Sequence, residues 1–215
     1  VAGVFAISRG SRTEARVVVA TIKDGSHWGR GECVPYQRYG ETVEGVATTI
    51  ESLGDSIAGG ASRTELINLL QAGAARNALD CALWDFEAKA SGKRAYELAG
   101  LPGLRAVTTV YTLSLGVPEA MEAAAHSASR RPLLKVKLGG DGDAERIAAV
   151  RRGAPDATLI VDANEAWSEI NFTDNLEACR AAGVALIEQP LPAWRDGMLA
   201  SISAEDRDGI LFCAD

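Results

Sequence analysis

The segment Leu133-Leu134-Lys135-Val136-Lys137-Leu138-Gly139-Gly140 has the pattern of a β-strand that runs into a glycine loop. Side chains alternate between the two faces of a strand, so Lys135 and Lys137 are predicted to point the same way. Two adjacent ammonium groups repel, and each favours the neutral form of the other. Such a lysine can take up a proton near neutral pH, although a solvated strand face with two ordinary lysines has the same pattern.

The rest of the second half repeats this unit of strand and helix. Predicted strands begin at residues 107, 133, 158, 184 and 210, and a helical or loop segment separates each pair. This even spacing predicts parallel strands and favours a (β/α) barrel over a doubly wound sheet. Because a closed barrel has about eight strands, the five predicted units lead us to expect about three more after Asp215.

The first half has a different pattern. Residues 1–35 alternate between apolar and polar side chains in the manner of antiparallel strands, and helices are predicted after them at 41–58, 64–70 and 74–91. This order predicts an α/β protein in which an α+β capping domain, residues 1–104, precedes the barrel, residues 105–215.

Composition excludes several classes of partner. The net charge is −7 and the basic residues are scattered, so we expect no nucleic-acid surface. No apolar run approaches the ~20 residues of a membrane helix, so no membrane partner is expected. Four cysteines without Cys-x-x-Cys spacing are typical of reduced thiols in a cytoplasmic protein.

Three acids stand at the carboxyl ends of successive predicted strands: Asp162, Glu188 and Asp215. Their separations of 26 and 27 residues match the repeat, so they are predicted side by side at the mouth of the barrel, where barrel enzymes place their active sites. Any one of them could instead be a helix cap or a strand-end charge. Three clustered carboxylates repel unless a cation joins them, and an all-oxygen set selects Mg²⁺ first and Mn²⁺ or Ca²⁺ after it.

Lysine beside a carboxylate-bound divalent ion suggests a reaction. The ion neutralises a substrate carboxylate and holds the enolate, while the amine removes the α-proton.

Four motifs together resemble the enolase superfamily, muconate-lactonising subgroup: Lys135-Val136-Lys137, Asp162-Ala163-Asn164, Glu188-Gln189-Pro190 and Ala214-Asp215. The predicted helix with Ala75-Arg76-Asn77 and Leu83-Trp84-Asp85 is also typical of that subgroup. The resemblance implies that Asp162, Glu188 and Asp215 bind Mg²⁺ and that Asn164 supports them without binding it. It also implies that Lys137 is an acid/base, with Lys135 favouring its neutral form and touching the substrate carboxylate.

A finer resemblance is to the dipeptide epimerases. The segments Ser8–Ala15 and Gly31–Tyr36 look like the two substrate-covering loops of that group. The resemblance implies substrate contacts for Arg9, Arg12 and Tyr36, and for Thr112 at the end of the first barrel strand. A guanidinium in such a loop would suit an acidic side chain such as glutamate, although the arginines could equally serve solubility.

The leading hypothesis is therefore a Mg²⁺-dependent epimerase whose partner is a small molecule, a dipeptide or an N-acyl amino acid. Within the same fold, o-succinylbenzoate synthase, N-acylamino-acid racemase and muconate cycloisomerase remain open, because the second acid/base lysine would lie beyond Asp215. A non-catalytic barrel used for binding is the alternative from another class. A homo-oligomer is expected by analogy alone.

Overall fold

The structure of this chain is a computed structural model that describes residues 5–7 and 10–215, with side chains described at residue 10 and from residue 13 onward. Strands β1 (Phe5–Ile7) and β2 (Gly10–Arg12) form a short antiparallel hairpin. The chain forms two compact units: residues 14–106, and residues 107–215 together with this hairpin. The division at residues 104 and 105, which assigns the hairpin to the first domain, stays a prediction.

The unit of residues 14–106 is a hairpin followed by helices. Strands β3 (Val18–Asp24) and β4 (His27–Cys33) pair antiparallel around a turn in which Gly25 has φ +56°. The helices are α1 (Val43–Ser52), α2 (Gly54–Ala58), α3 (Arg63–Leu69), α4 (Ala74–Ser91) and α5 (Ala95–Leu98). The single helix predicted over 41–58 is wrong: Leu53 leaves helical geometry and Gly54, a poor residue for a helix interior, follows it.

Helix α4 lies directly against β4 because two glycines occupy the contact. A Cβ at Gly31 would lie 2.0 Å from the carbonyl oxygen of Ala78, and one at Gly29 would lie 2.2 Å from that of Ala82. The core of this unit is correspondingly made of small and branched residues on α4 and its neighbours. Its fully or nearly buried members include Val46, Leu66, Ala78, Leu79, Ala82 and Leu83.

The second unit contains a five-stranded parallel sheet whose strands neighbour one another in chain order. The strands are β5 (Tyr111–Leu113), β6 (Leu133–Lys137), β7 (Thr158–Asp162), β8 (Val184–Glu188) and β9 (Leu211–Cys213). This is the sequential arrangement that the 26-residue repeat predicts, although β5 is shorter than the predicted 107–115. The α/β fold is therefore confirmed.

Helices separate these strands. They are α6 (Pro118–Ser127), α7 (Asp143–Gly153), α8 (Phe172–Ala181) and α9 (Ala204–Arg207). Before β9 the predicted helix is mostly loop, with 3-10 turns at Ala193–Arg195 and Gly197–Ser201. No helix among residues 5–7 and 10–215 is both long and apolar enough to cross a membrane.

The two faces of the sheet differ in chemistry. Leu134, Val136, Leu159, Val161 and Ile187 are all buried in the core of this unit. Because neighbours along a strand face opposite ways, the intervening residues of β6, β7 and β8 share the other face, and these include both lysines and two of the acids.

We predict that Gly31→Ala destabilises the first unit by about 2 kcal/mol or more, because a new Cβ would overlap the backbone of α4. Urea unfolding of the full-length protein measures the change. The matched control is Gly54→Ala, where no atom lies within 4 Å of the added Cβ. The free energy of unfolding of that variant should lie within about 1 kcal/mol of the parent value or above it. Equal losses of unfolding free energy in both variants would contradict the close packing of α4 on β4.

Candidate active site

Register places the predicted site residues of the sheet at two adjacent levels of one face, and these two levels together are called the row. Thr112 pairs with Lys135, Lys137 pairs with Asp162, and Asp162 pairs with Glu188. The last pairing depends on a bulge: Leu159 pairs with Val184 but Ile160 pairs with Leu186, so Ala185 is skipped. Without that extra residue Glu188 would move out of line with Asp162.

Both lysines make ion pairs with these acids. Lys135 Nζ lies 2.9 Å from Asp162 Oδ2 and 2.6 Å from Glu188 Oε2, so one ammonium group joins two carboxylates. Lys137 Nζ lies 2.5 Å from the same Asp162 oxygen. Asp162 is only 1% exposed, which makes these contacts the compensation for a buried charge.

The ion pairs change the pKa of both kinds of group. Burial lowers the pKa of Lys135, but its hydrogen bonds to Glu188 and Asp162 outweigh burial and raise that pKa above the ordinary value. Burial likewise raises the pKa of Asp162, and the hydrogen bonds from Lys137 and Lys135 outweigh it and lower that pKa. The neighbouring ammonium of Lys137 therefore does not favour neutral Lys135 here, because the carboxylates attract the Lys135 ammonium more than Lys137 repels it. The role of Lys135 in favouring the neutral form of Lys137 stays a prediction.

Asn164 lies beside this cluster, and its role as a supporting residue stays a prediction. Its Oδ1 accepts a hydrogen bond from Lys137 Nζ at 3.2 Å, and its backbone N–H donates to Asp162 Oδ1 at 3.0 Å. Asn164 has φ +47° and Glu165 has φ +67°, a conformation that costs side-chain-bearing residues energy and is concentrated at functional sites.

The third acid does not complete a ready-made metal site. Glu188 pairs with Cys213, so Asp215 lies two residues beyond the row formed by Asp162 and Glu188. Within residues 5–7 and 10–215, no three His, Cys, Asp or Glu side chains are gathered closely enough to hold a metal ion. Lys135 supplies the positive charge between Asp162 and Glu188. The expected gathering of all three carboxylates around one ion stays a prediction.

The donor chemistry of the row still suits a hard cation. Oxygen atoms of Asp162 and Glu188 both lie within 3 Å of one ammonium nitrogen, so they already converge on a single cationic position. One or two carboxylates together with water are the ligands that Mg²⁺ usually takes in proteins. Binding of the ion at these residues stays a proposal.

Two of the four predicted substrate-binding residues, Thr112 and Tyr36, have described side chains. Thr112 is half-buried in β5 beside Lys135. Tyr36 is half-buried in the first unit, where its backbone N–H donates to Glu41 Oε2 at 2.9 Å. Arg9 and the side chain of Arg12 lie outside the described residues, so their roles stay predictions.

Sequence reasoning missed two polar side chains around the row. Gln189 has φ +37°, and its side chain accepts from the backbone N–H of Asp215 at 3.0 Å while donating to the Leu191 carbonyl at 2.8 Å. Asp143, which resembles an ordinary acid in the first turn of a helix, is fully buried. The signal for Gln189 was a polar residue between a strand end and Pro190, and the signal for Asp143 was its place three residues after the Gly139-Gly140 pair.

Two family models match the chain. The model for the mandelate racemase / muconate lactonizing enzyme N-terminal domain matches residues 2–100, and the enolase C-terminal domain-like model matches residues 119–210. The chain belongs to the enolase superfamily. The predicted family is thereby confirmed, and so is its division into a capping part and part of a barrel.

Curated relatives carry isomerase names. The chain is 45% identical over 200 residues to the L-Ala-D/L-Glu epimerase of Escherichia coli (strain K12), covering 91% of this chain and 61% of the relative. It is 39% identical over 201 residues to the N-acetyl-D-glutamate racemase of a Pseudoalteromonas species, covering 93% of this chain and 62% of the relative. The chain thus spans about three fifths of each relative's length.

Solved structures agree with this assignment. An enolase family member from Agrobacterium tumefaciens, described as homologous to dipeptide epimerases and holding sodium and L-Ala-L-Glu, matches with TM-score 0.94 and 51% identity over 100% of this chain and 65% of that one. A dipeptide epimerase from Enterococcus faecalis V583, in complex with Mg and L-Leu-L-Tyr, matches with TM-score 0.86 and 26% identity over 100% of this chain and 64% of that one. These neighbours therefore hold sodium or magnesium and a dipeptide.

We predict that Asp162 contributes pH-dependent stability in metal-free protein. Because its folded-state pKa is lowered, the contribution is present above the unfolded value of about 3.9 and is lost as pH falls through the folded value. Urea unfolding in EDTA from pH 7 downward should show a steeper acid decline for the parent than for Asp162→Asn, by up to about 1.4 kcal/mol per pH unit. Parallel curves would contradict the lowered pKa.

Proposed function

We propose that this chain forms the capping and first barrel part of a Mg²⁺-dependent epimerase that acts at the α-carbon of the glutamate in L-Ala-L/D-Glu. The observation that carries the proposal is the row of Lys135, Lys137, Asp162 and Glu188 at adjacent ends of three parallel strands. A base and a cation-binding carboxylate pair on one surface suit removal of a proton α to a carboxylate.

Each residue of the row has a separate part in this proposal. Lys137 Nζ takes the α-proton in its neutral form, and Asn164 holds that nitrogen at the strand end. Lys135 leaves the two carboxylates and meets the carboxylate of the substrate. A divalent ion held by Asp162, Glu188 and Asp215 would neutralise the substrate carboxylate and the enolate that follows.

Glutamate is the proposed side chain because two named relatives share it. An L-Ala-Glu dipeptide and N-acetylglutamate both present an N-acylated glutamate, and the relatives named for them are 45% and 39% identical to this chain. Arg9 and Arg12 are proposed to meet the side-chain carboxylate, since a guanidinium binds a carboxylate through two parallel hydrogen bonds. Tyr36 and Thr112 are proposed as further substrate contacts.

A second candidate is racemisation of an N-acyl amino acid. The 39% identity to an N-acetyl-D-glutamate racemase favours it, and the chemistry at the α-carbon is the same. Substrates with and without a free amino-terminal ammonium group separate the two: a dipeptide epimerase prefers L-Ala-L-Glu, whereas an N-acyl racemase prefers N-acetylglutamate. A cytoplasmic location and assembly into a homo-oligomer stay predictions.

We predict that the full-length protein exchanges and inverts the α-hydrogen of L-Ala-L-Glu in D₂O containing Mg²⁺, as followed by proton NMR. Lys137→Ala should lose roughly 100-fold to 10,000-fold in rate, the usual contribution of a general base. The exposed Lys93→Ala is the matched control and should keep the parent rate. Neither exchange nor inversion with any dipeptide or N-acyl amino acid of a broad library would show the proposal to be wrong.

We predict that Mg²⁺ binds the folded full-length protein in isothermal titration and that Asp162→Asn abolishes the binding heat. Exposed Asp156→Asn serves as the control and should bind as the parent does. A folded parent protein that takes up no Mg²⁺ would favour the non-catalytic barrel instead.

A further inference from the structure

A second charged residue is buried outside the proposed row. Asp143 begins α7 and is 0% exposed. Burying a carboxylate is unfavourable unless hydrogen bonds and opposite charge compensate it. Its partners therefore show what the residue holds together.

Asp143 is compensated by donors from the chain around it. Its Oδ2 accepts from the Gly140 N–H at 2.7 Å and from Trp167 Nε1 at 2.8 Å, while its Oδ1 accepts from the Gly139 N–H at 3.0 Å. Arg146 Nη1 donates to Oδ1 at 2.9 Å. No solvent contact is needed to satisfy this carboxylate.

The backbone and indole donors belong to two loops at the same end of the sheet, whereas Arg146 lies in α7 itself. Gly139 and Gly140 follow Lys137 by two and three residues, and Trp167 follows Asn164 by three. Lys137 and Asn164 are themselves joined by a 3.2 Å hydrogen bond. Asp143 therefore closes a ring whose other side is the proposed base and its supporting amide.

The two loops also lie in direct contact. Gly140 has φ +99°, and a Cβ there would lie 2.8 Å from the carbonyl oxygen of Ala166. Trp167 is 2% exposed, and its backbone N–H donates to the Pro190 carbonyl at 3.0 Å, which extends the connection to the loop after β8. The contacts of Asp143 and Trp167 thus connect the loops that follow β6, β7 and β8.

We propose that Asp143 is a positioning residue. It joins the loops after β6 and β7 and so holds Lys137 and Asn164 in the positions that the reaction requires; this link between the loops is called the clamp. Its effect on turnover rests on the proposed function, whereas its effect on the loops does not. Asp143→Asn is the direct test, because either orientation of the amide turns an NH₂ group toward N–H donors that the carboxylate accepts from.

The opposite end of the same helix offers a matched control. Arg151 Nε donates to the Ala182 carbonyl at 2.6 Å, and its Nη1 donates to the carbonyls of Ala157 at 2.8 Å and Pro155 at 2.9 Å. These carbonyls precede β7 and β8, so Arg151 joins loops at the amino ends of the strands. In barrel enzymes the active site lies at the carboxyl ends of the strands, whereas residues at the amino ends contribute to stability.

The experiment compares Asp143→Asn with Arg151→Met in the full-length protein with Mg²⁺, at a temperature where both are folded by circular dichroism. We expect Asp143→Asn to lower kcat for L-Ala-L-Glu roughly 10- to 100-fold with KM changed less than about threefold, the cost of a displaced catalytic group. Arg151→Met should lower the Tm without changing kcat. Equal effects on kcat in the two variants, or none in Asp143→Asn, would overturn the proposal.

Hydrogen exchange separates the clamp from the reaction. Peptides covering residues 137–142 and 163–168 should exchange faster in Asp143→Asn than in Arg151→Met, whether or not the parent acts on any substrate. If the parent is inactive, the proposed function fails and this comparison alone decides the clamp; unchanged exchange overturns it. If Asp143→Asn does not fold, Trp167→Phe is the second variant, because it removes the indole donor to Asp143. It should show the same faster hydrogen exchange in the two loops and a smaller loss of kcat. Parental values of both exchange and kcat would overturn the proposal.

Discussion

Strand register is the constraint on which the candidate site depends. Lys137, Asp162 and Glu188 become neighbours because β6, β7 and β8 pair in parallel at one particular offset. A slip by one residue would turn every side chain of a strand to the other face. The apolar residues that alternate with these charged ones, such as Val136, Val161 and Ile187, are buried in the core and resist such a slip. Burial of the apolar face of the sheet thus fixes the register that brings the charged residues of the other face together.

Charge compensation follows from that alignment. Two ammonium groups and two carboxylates meet on one face, so the mutual repulsion of the lysines is exceeded by attraction to Asp162 and Glu188. The position that Lys135 fills is the position where a hard cation would meet the same oxygen atoms. In the proposed function, a cation that binds these oxygen atoms would replace the ammonium of Lys135. Asp143 solves the same problem with backbone and indole donors, and in doing so joins two loops.

Much of this site could be predicted from the sequence, because its residues obey simple periods. The two-residue alternation of a strand places Lys135 with Lys137, and the repeat of about 26 residues places Asp162 near Glu188. The bulge at Ala185 could not be predicted, since no local signal marks a skipped residue in an apolar strand. Nor could the place of Asp215, because its offset depends on how β9 pairs. The ion pairs of the two lysines and the burial of Asp143 were missed because both depend on contacts between distant segments, and an acid at the start of a helix is usually exposed.

The most direct test of this account is a crystal structure of the full-length protein with Mg²⁺ and L-Ala-L-Glu. The account predicts oxygen atoms of Asp162, Glu188 and Asp215 about 2.0–2.1 Å from the ion, with Lys135 withdrawn from both carboxylates. It also predicts Lys137 Nζ within about 3.5 Å of the glutamyl α-carbon, the separation of a reacting pair. An ion bound elsewhere while Lys135 still joins Asp162 to Glu188 would contradict it.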